Sequence, residues 1–225
     1  MHIRAITFDV GGTLIEPWPS VGHVYAAVAA RHGFTGLAAE ILNTRFRQAW
    51  VARGGVDHTR RDWEEIVDEV FLGLTTSPPS TTFFPELYDH FAEPAAWRVF
   101  DDTRPALTSL AARGVRLGVV SNWDERLRGL LRRLDLDRYF EVIVVSCEEG
   151  FAKPSRAIFA SAAQKLGLSP VNILHVGDSA EMDVAGAQAA GFAAVRILRN
   201  ARQHTVNEIG SLMALERFLG TLPPG

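Results

Sequence analysis

The chain has 225 residues, 23 Lys or Arg against 26 Asp or Glu, a net charge of −3, and 47% hydrophobic with 22% charged residues. That composition is ordinary for a globular protein, gives no electrostatic case for nucleic acid or an acidic membrane, and contains no apolar run near the roughly 20 residues that span a bilayer. The single cysteine, Cys147, excludes an intrachain disulfide and a cysteine-based zinc site.

The first predicted strand runs from Ile3 to Phe8 and ends on Asp9. Because the N-terminus reads as strand and not as a leader peptide, a cytoplasmic protein is expected. From Glu16 to about Arg98 there is no clear strand. Apolar spacing there predicts helices over Val21–His32, Leu37–Arg53, Arg61–Leu74 and about Thr82–Ala92, punctuated by Gly33, the Gly54-Gly55 pair and "TTSPPS". Strands follow at Val115–Val120, Val142–Val145, Ile173–Val176 and Ala194–Ile197. Helices are predicted before and between them: Thr103 to Arg113, with Thr103 as N-cap, then about Glu125–Leu134, Arg156–Leu166 and Ala180–Ala190. The terminal "TLPPG" is expected to fray. Strands alternating with helices imply an α/β, doubly wound, mainly parallel Rossmann-like sheet. Residues 1–15 and 99–225 are assigned to this core, and residues 16–98 to an inserted all-helical module. Ligands in such sheets bind beyond the carboxyl ends of the strands.

Chemistry-bearing residues fall at those ends. Asp9 can attack phosphorus as a carboxylate nucleophile, splitting one hard step into two. "LGVVSNWD" ends the next strand on Ser121-Asn122, a hydroxyl and an amide at a helix start, where anions bind readily. "EEGFAKPS" places Lys153, one of two lysines in the chain with Lys165, in a loop before a helix. "GDSAEMD" places Asp178 and Asp183 as hard oxygen donors of the kind magnesium prefers. Each of these has an ordinary structural reading as a turn former, cap or surface charge. Their joint occurrence, each after a strand, points to phosphoryl transfer.

These motifs resemble those of the haloacid dehalogenase-like (HAD) hydrolase superfamily across essentially the whole chain. The family's first motif, Asp-x-Asp-Gly-Thr-Leu, stands here as Asp9-Val10-Gly11-Gly12-Thr13-Leu14. The resemblance implies a Mg²⁺-dependent phosphatase acting on a small phosphorylated substrate. In it, Asp9 is nucleophile and metal ligand, and Ser121 and Lys153 complete the catalytic set. Phosphate falls to Gly12, Thr13, Ser121, Asn122 and Lys153, and metal to Asp9, the Gly11 carbonyl, Asp178 and Asp183. The helical module resembles the family's mobile cap.

One position departs from the pattern. Family phosphatases carry an aspartate two residues after the nucleophile, which protonates the leaving group and then deprotonates water; here that residue is Gly11. A positioned acid or base is worth ~10²–10⁴-fold in rate. The dehalogenase branch carries tyrosine there, and the phosphonate-cleaving branch needs a cap lysine, of which residues 16–98 hold none. Three readings follow: a phosphatase of weak turnover or confined to good leaving groups such as acyl or aryl phosphates; an impaired enzyme that binds a phosphorylated ligand or protein partner; or replacement of the acid by Asp124 or Glu16. Outside the motifs, His175 is read as a satisfied core histidine and Cys147 as a small buried hydrophobe. Trp18, Tyr25, Trp50 and Trp63 are read as packing, and Arg45, Arg47, Arg53, Arg60 and Arg61 as the polar face of the helices.

Overall fold

The structure is a computed structural model that describes residues 2–53, 58–199 and 201–221. The Gly54-Gly55 pair and residues 222–225 of the terminal segment lie outside the described residues. The chain divides into two compact units, residues 1–15 with 99–225, and residues 16–98.

Strand β1 (Ala5–Phe8) is buried at every position. The chain then passes through β2 (Ile15–Pro17) into α1 (Val21–Arg31), α2 (Ala39–Ala52), α3 (Arg60–Phe71) and α4 (Phe84–His90), and returns along β3 (Trp97–Val99), which pairs with β2. After α5 (Thr103–Ala112) come β4 (Arg116–Ser121), α6 (Arg126–Arg133), β5 (Val142–Val145), α7 (Ser146–Glu149), α8 (Arg156–Leu166) and β6 (Ile173–Gly177). A π-helical turn (Ala180–Ala185) leads into α9 (Gly186–Ala189), followed by β7 (Ala193–Ile197), β8 (Glu208–Ile209) and α10 (Leu215–Thr221).

The sheet is six-stranded, in the order β5-β4-β1-β6-β7-β8, with every pairing parallel. It is the doubly wound α/β core expected from the alternation of elements. The chain steps from β1 outward to β4 and β5, then returns to place β6 on the other side of β1. The strand order therefore reverses around β1, and the crevice beyond its carboxyl end is the ligand position of such sheets. Apolar strand residues such as Val120, Val144 and Ile173 pack with Ile158, Phe159 and Leu166 of α8. Residues 16–98 hold a separate core built from Val28, Leu42, Ile66, Phe71, Phe83 and Leu87. A capping box starts α3, with the Thr59 side chain and Asp62 exchanging bonds with each other's backbone N–H.

Three local expectations are corrected. Thr103 is the first residue of α5 and not its N-cap; its buried hydroxyl donates to the Leu14 carbonyl (2.8 Å) instead. Cys147 is partly exposed on α7, not fully buried, and loss of hydration with the nearby Glu148 and Asp124 charges pushes its thiol up to about 11. The helix expected over Ala180–Ala190 opens as a π-turn, in which the Val184 N–H reaches back five residues to the Ser179 carbonyl (3.2 Å). β2, β3 and β8 have no counterpart among the expected strands, being too short to carry a period-two signal.

Candidate active site

Asp9 is the first residue past β1, and its N–H donates to the Val176 carbonyl of β6 (2.9 Å), so neighbouring-strand pairing holds its backbone. The loop then turns tightly: the N–H groups of Thr13, Leu14 and Ile15 all point to the Val10 carbonyl (3.3, 2.9 and 3.1 Å). Gly12 is required twice over. Its φ is +74°, and a Cβ there would lie 2.5 Å from Asp178 Oδ2. Gly11 has no such backbone demand. Its φ lies outside the left-handed region, and a Cβ would meet Trp123 Cζ3 at 3.4 Å, an ordinary contact.

Ser121, the last residue of β4, donates its hydroxyl to Asp9 Oδ1 (2.8 Å). The Lys153 ammonium donates to the same oxygen (2.7 Å) and to Asp183 Oδ1 (2.6 Å). Asn122 holds Lys153 in place: its amide donates to the Lys153 carbonyl (3.0 Å) and accepts from the Lys153 N–H (2.7 Å). The amide expected to meet an anion is thus a two-point clamp on the lysine backbone. Asp183 also accepts from the Ser179 N–H at Oδ2 (2.9 Å) and contacts His175 Nε2 at Oδ1 (3.1 Å). The other imidazole nitrogen of His175 bonds Thr7 (2.9 Å). The histidine is satisfied, as its place in an apolar strand required, but its partner is one of the acidic site residues. "ILHVG" carried a signal of that kind, a lone polar side chain in an apolar strand. The strand pattern could not say which side chain met it.

Thr13 is fully buried, and its hydroxyl has no hydrogen-bond partner among the described residues; its carbonyl accepts from Arg199 Nη2 (2.5 Å). Neither proposed substitute acid stands ready. Asp124 is completely buried and forked by its own neighbour Arg126, which donates from Nε (2.8 Å), Nη2 (2.5 Å) and its backbone N–H (3.0 Å). Glu16 is ion-paired with Arg98 within the helical unit. The helical unit's arginines are engaged there as well. Arg45 donates to the Val70 and Leu72 carbonyls, Arg47 to Thr44, Arg53 and Arg61 pair with Glu65, and Arg60 lies 4.6 Å over the Tyr88 ring. Tyr25 is in the core, Trp50 stacks on Trp63 at 5.4 Å, and Arg98 covers Trp18 at 3.9 Å.

Charge is unevenly distributed at the site. Burial works against the Lys153 charge, but Asp183 and Asp9 outweigh it and raise its pKa, so it stays an ammonium. Burial also opposes the Asp183 carboxylate, yet Lys153 and His175 hold its pKa well below the usual range. Asp178 keeps exposed surface, but partial withdrawal from water and the Asp9 and Asp183 charges push its carboxyl up to about 7. Oxygens of Asp9, Asp178 and Asp183 lie within 4.8 Å of one another. Three carboxylates facing one ammonium form an oxygen-donor set short of positive charge, which suits a hard divalent cation such as magnesium.

A family model for haloacid dehalogenase-like hydrolases matches residues 3–191. The human haloacid dehalogenase-like hydrolase domain-containing protein 3 is 33% identical, over 85% of this chain and 80% of its own. A glyceraldehyde 3-phosphate phosphatase of Methanopyrus kandleri is 30% identical, over 89% of this chain and 86% of its own. The crystal structure of a HAD phosphatase from Thermococcus onnurineus superimposes with a TM-score of 0.70 at 26% identity, covering 97% of this chain and 98% of the other. With this sheet and the acidic loops at its strand ends, the chain belongs to the haloacid dehalogenase-like hydrolases.

Proposed function

We propose that this hydrolase is a magnesium-dependent phosphatase that cleaves small phosphate esters or anhydrides with good leaving groups through an aspartyl phosphate on Asp9. The observation that carries this reading is the single Asp9 oxygen bonded by both Ser121 and Lys153, with Lys153 also bridging to Asp183. A phosphoryl group seated there would find a nucleophile, a hydroxyl and an ammonium already converging. Asp9, Asp178 and the Gly11 carbonyl, supported by Asp183, would hold magnesium, which when bound neutralises charge on the transferring phosphoryl oxygens. Asp183 has three of its acceptor positions filled by Lys153, His175 and Ser179, which suits it to support more than to ligation.

An Asp9 oxygen forms a bond to phosphorus while the bond to the leaving oxygen breaks, and the electron pair departs with that oxygen. Water then attacks phosphorus, the bond from phosphorus to the Asp9 oxygen breaks with its electron pair returning to the carboxylate, and the protons of water leave on the released phosphate, with no side chain at position 11 to take one. Lys153 and Ser121 stabilise charge in both steps. No side chain at position 11 protonates the leaving oxygen, so a leaving group stable as an anion is required. In this reading, residues 16–98 act as a cap that selects the substrate.

A second reading is a phosphate-binding protein without turnover. It is favoured by the engagement of Asp124 and Glu16 in ion pairs, which leaves the missing acid unreplaced. Turnover separates the two readings. Magnesium-dependent hydrolysis of 4-nitrophenyl phosphate is expected, falling on the order of 10⁴-fold in Asp9→Asn. Gly11→Asp, whose Cβ would make an ordinary contact with Trp123, is expected to raise turnover of alkyl phosphates by about 10²-fold. No metal-dependent release of phosphate from aryl or acyl phosphates, together with binding of phosphate compounds, would favour the second reading.

A further inference from the structure

Ser121 and Asp9 meet where β4 and β1 end, and two residues further along each loop Trp123 stands beside Gly11. A Cβ at Gly11 would stand 3.4 Å from Cζ3 and 4.0 Å from Cη2 of the indole. The six-membered edge of Trp123 therefore borders the ground that a side chain at position 11 would enter. The Trp123 backbone is firmly held. Its main-chain N–H donates to Ser146 Oγ (3.0 Å), and its carbonyl accepts from that hydroxyl (3.1 Å) and from the Cys147 N–H (3.3 Å). The preceding residue is fixed by the Asn122–Lys153 clamp. Trp123 as a residue is half-buried.

In-line displacement puts the leaving group on the side of phosphorus opposite the attacking oxygen. Asp9 Oδ1 accepts from Ser121 and Lys153; if position 11 faces the leaving oxygen, as the family resemblance implies, a leaving group lies beside Trp123. An indole edge beside position 11 offers contact to a flat ring. It offers no proton: indole N–H is not an acid in the useful range. From this juxtaposition we infer that Trp123 is a specificity-determining residue that receives the leaving group, and that the preferred substrates are aryl phosphates, whose phenolate departs without protonation. This rests on the phosphatase reading and narrows it, because acyl phosphates would satisfy the missing acid equally well but would gain little from the indole.

Two measurements test it. In calorimetry with magnesium present, wild type is expected to bind phenylphosphonate about tenfold more tightly than methylphosphonate, a margin set by one aromatic contact. In kinetics, the ratio of kcat/KM for 4-nitrophenyl phosphate to that for acetyl phosphate is expected to fall about tenfold in Trp123→Ala and at most about threefold in Trp123→Phe. Equal affinity for the two phosphonates, or an unchanged ratio in Trp123→Ala, overturns the inference. The wild-type binding comparison stands whether or not Trp123→Ala folds. Hydrolysis of acetyl phosphate with no aryl preference overturns this inference alone, whereas failure to bind either phosphonate or hydrolyse either phosphate overturns the phosphatase reading with it.

Discussion

Two ionic networks in the sheet-containing unit, one half-buried and one buried, make opposite use of similar residues. Around Asp102, one carboxylate meets one guanidinium: Arg199 Nη1 spans both its oxygens (2.9 and 3.0 Å), and Ser211 Oγ (2.7 Å) and the Leu212 N–H (2.8 Å) fill what remains. Arg199 also lies 3.7 Å over the Phe100 ring. Burial opposes the Asp102 charge, but these partners outweigh it and hold its carboxyl below the usual range. Around Asp9, Lys153 bonds two carboxylates, Asp9 and Asp183, with Asp178 beside them pushed up to about 7. A network that balances its own charge is a structural staple. One left short of positive charge has accepted electrostatic cost in the free protein, and a cation or phosphoryl chemistry can recover it.

The contrast can be broken most forcefully at Lys153. Lys153→Met leaves Asp9 and Asp183 facing each other without their ammonium and is expected to cost roughly 3–5 kcal/mol in chemical denaturation, the usual penalty for orphaning buried charge. A loss below about 1 kcal/mol would mean that the carboxylates are well solvated and that the site is not short of positive charge. Magnesium sharpens the same contrast from the other side. At a hundredfold excess over its dissociation constant it is expected to stabilise wild type by ~2.7 kcal/mol, seen as a rise in melting temperature. The rise should be largely lost in Asp178→Ala and retained in Arg199→Met.

Arg199→Met should cost less than Lys153→Met, about 1–3 kcal/mol, since Asp102 keeps the Ser211 and Leu212 donors. The effect of pH has a definite sign. Asp102 has its pKa lowered in the folded state, so its stabilising contribution is fully present above the unfolded value near ~3.9 and is lost as pH falls through the folded value. Wild type should therefore lose more stability than Arg199→Met on acidification below about pH 4. Equal slopes for the two proteins would remove Asp102 as the balanced member of the comparison.

Most of the core's element types could be read from the sequence, because short apolar runs bounded by glycine and proline report strands buried on both faces. α8 and β5 occupy the spans their patterns indicate, Arg156–Leu166 and Val142–Val145. The placement of Asp9, Ser121 and Asp178 at strand ends was legible for the same reason. What periodicity cannot carry is partner identity. Asn122 clamps the backbone of a residue 31 positions away. His175 reaches Thr7 because β6 lies beside β1, and it reaches Asp183 because the π-turn brings Asp183 back over Gly177, where a Cβ would sit 2.1 Å from the Asp183 carboxyl carbon. Asp124 looked available as an acid, and only the burial of its Arg126 fork showed otherwise.

The sequence by itself determined the alternation of strands and helices, the order of the acidic, hydroxyl and lysine positions along it, and the missing side chain at Gly11. These are properties of residue type and local spacing. Tertiary structure decided which oxygen Lys153 and Ser121 share, how unevenly charge is balanced at the two networks, and that Trp123 stands beside Gly11. Those depend on strand order and loop approach, where ångström distances between residues far apart in the chain set the energy.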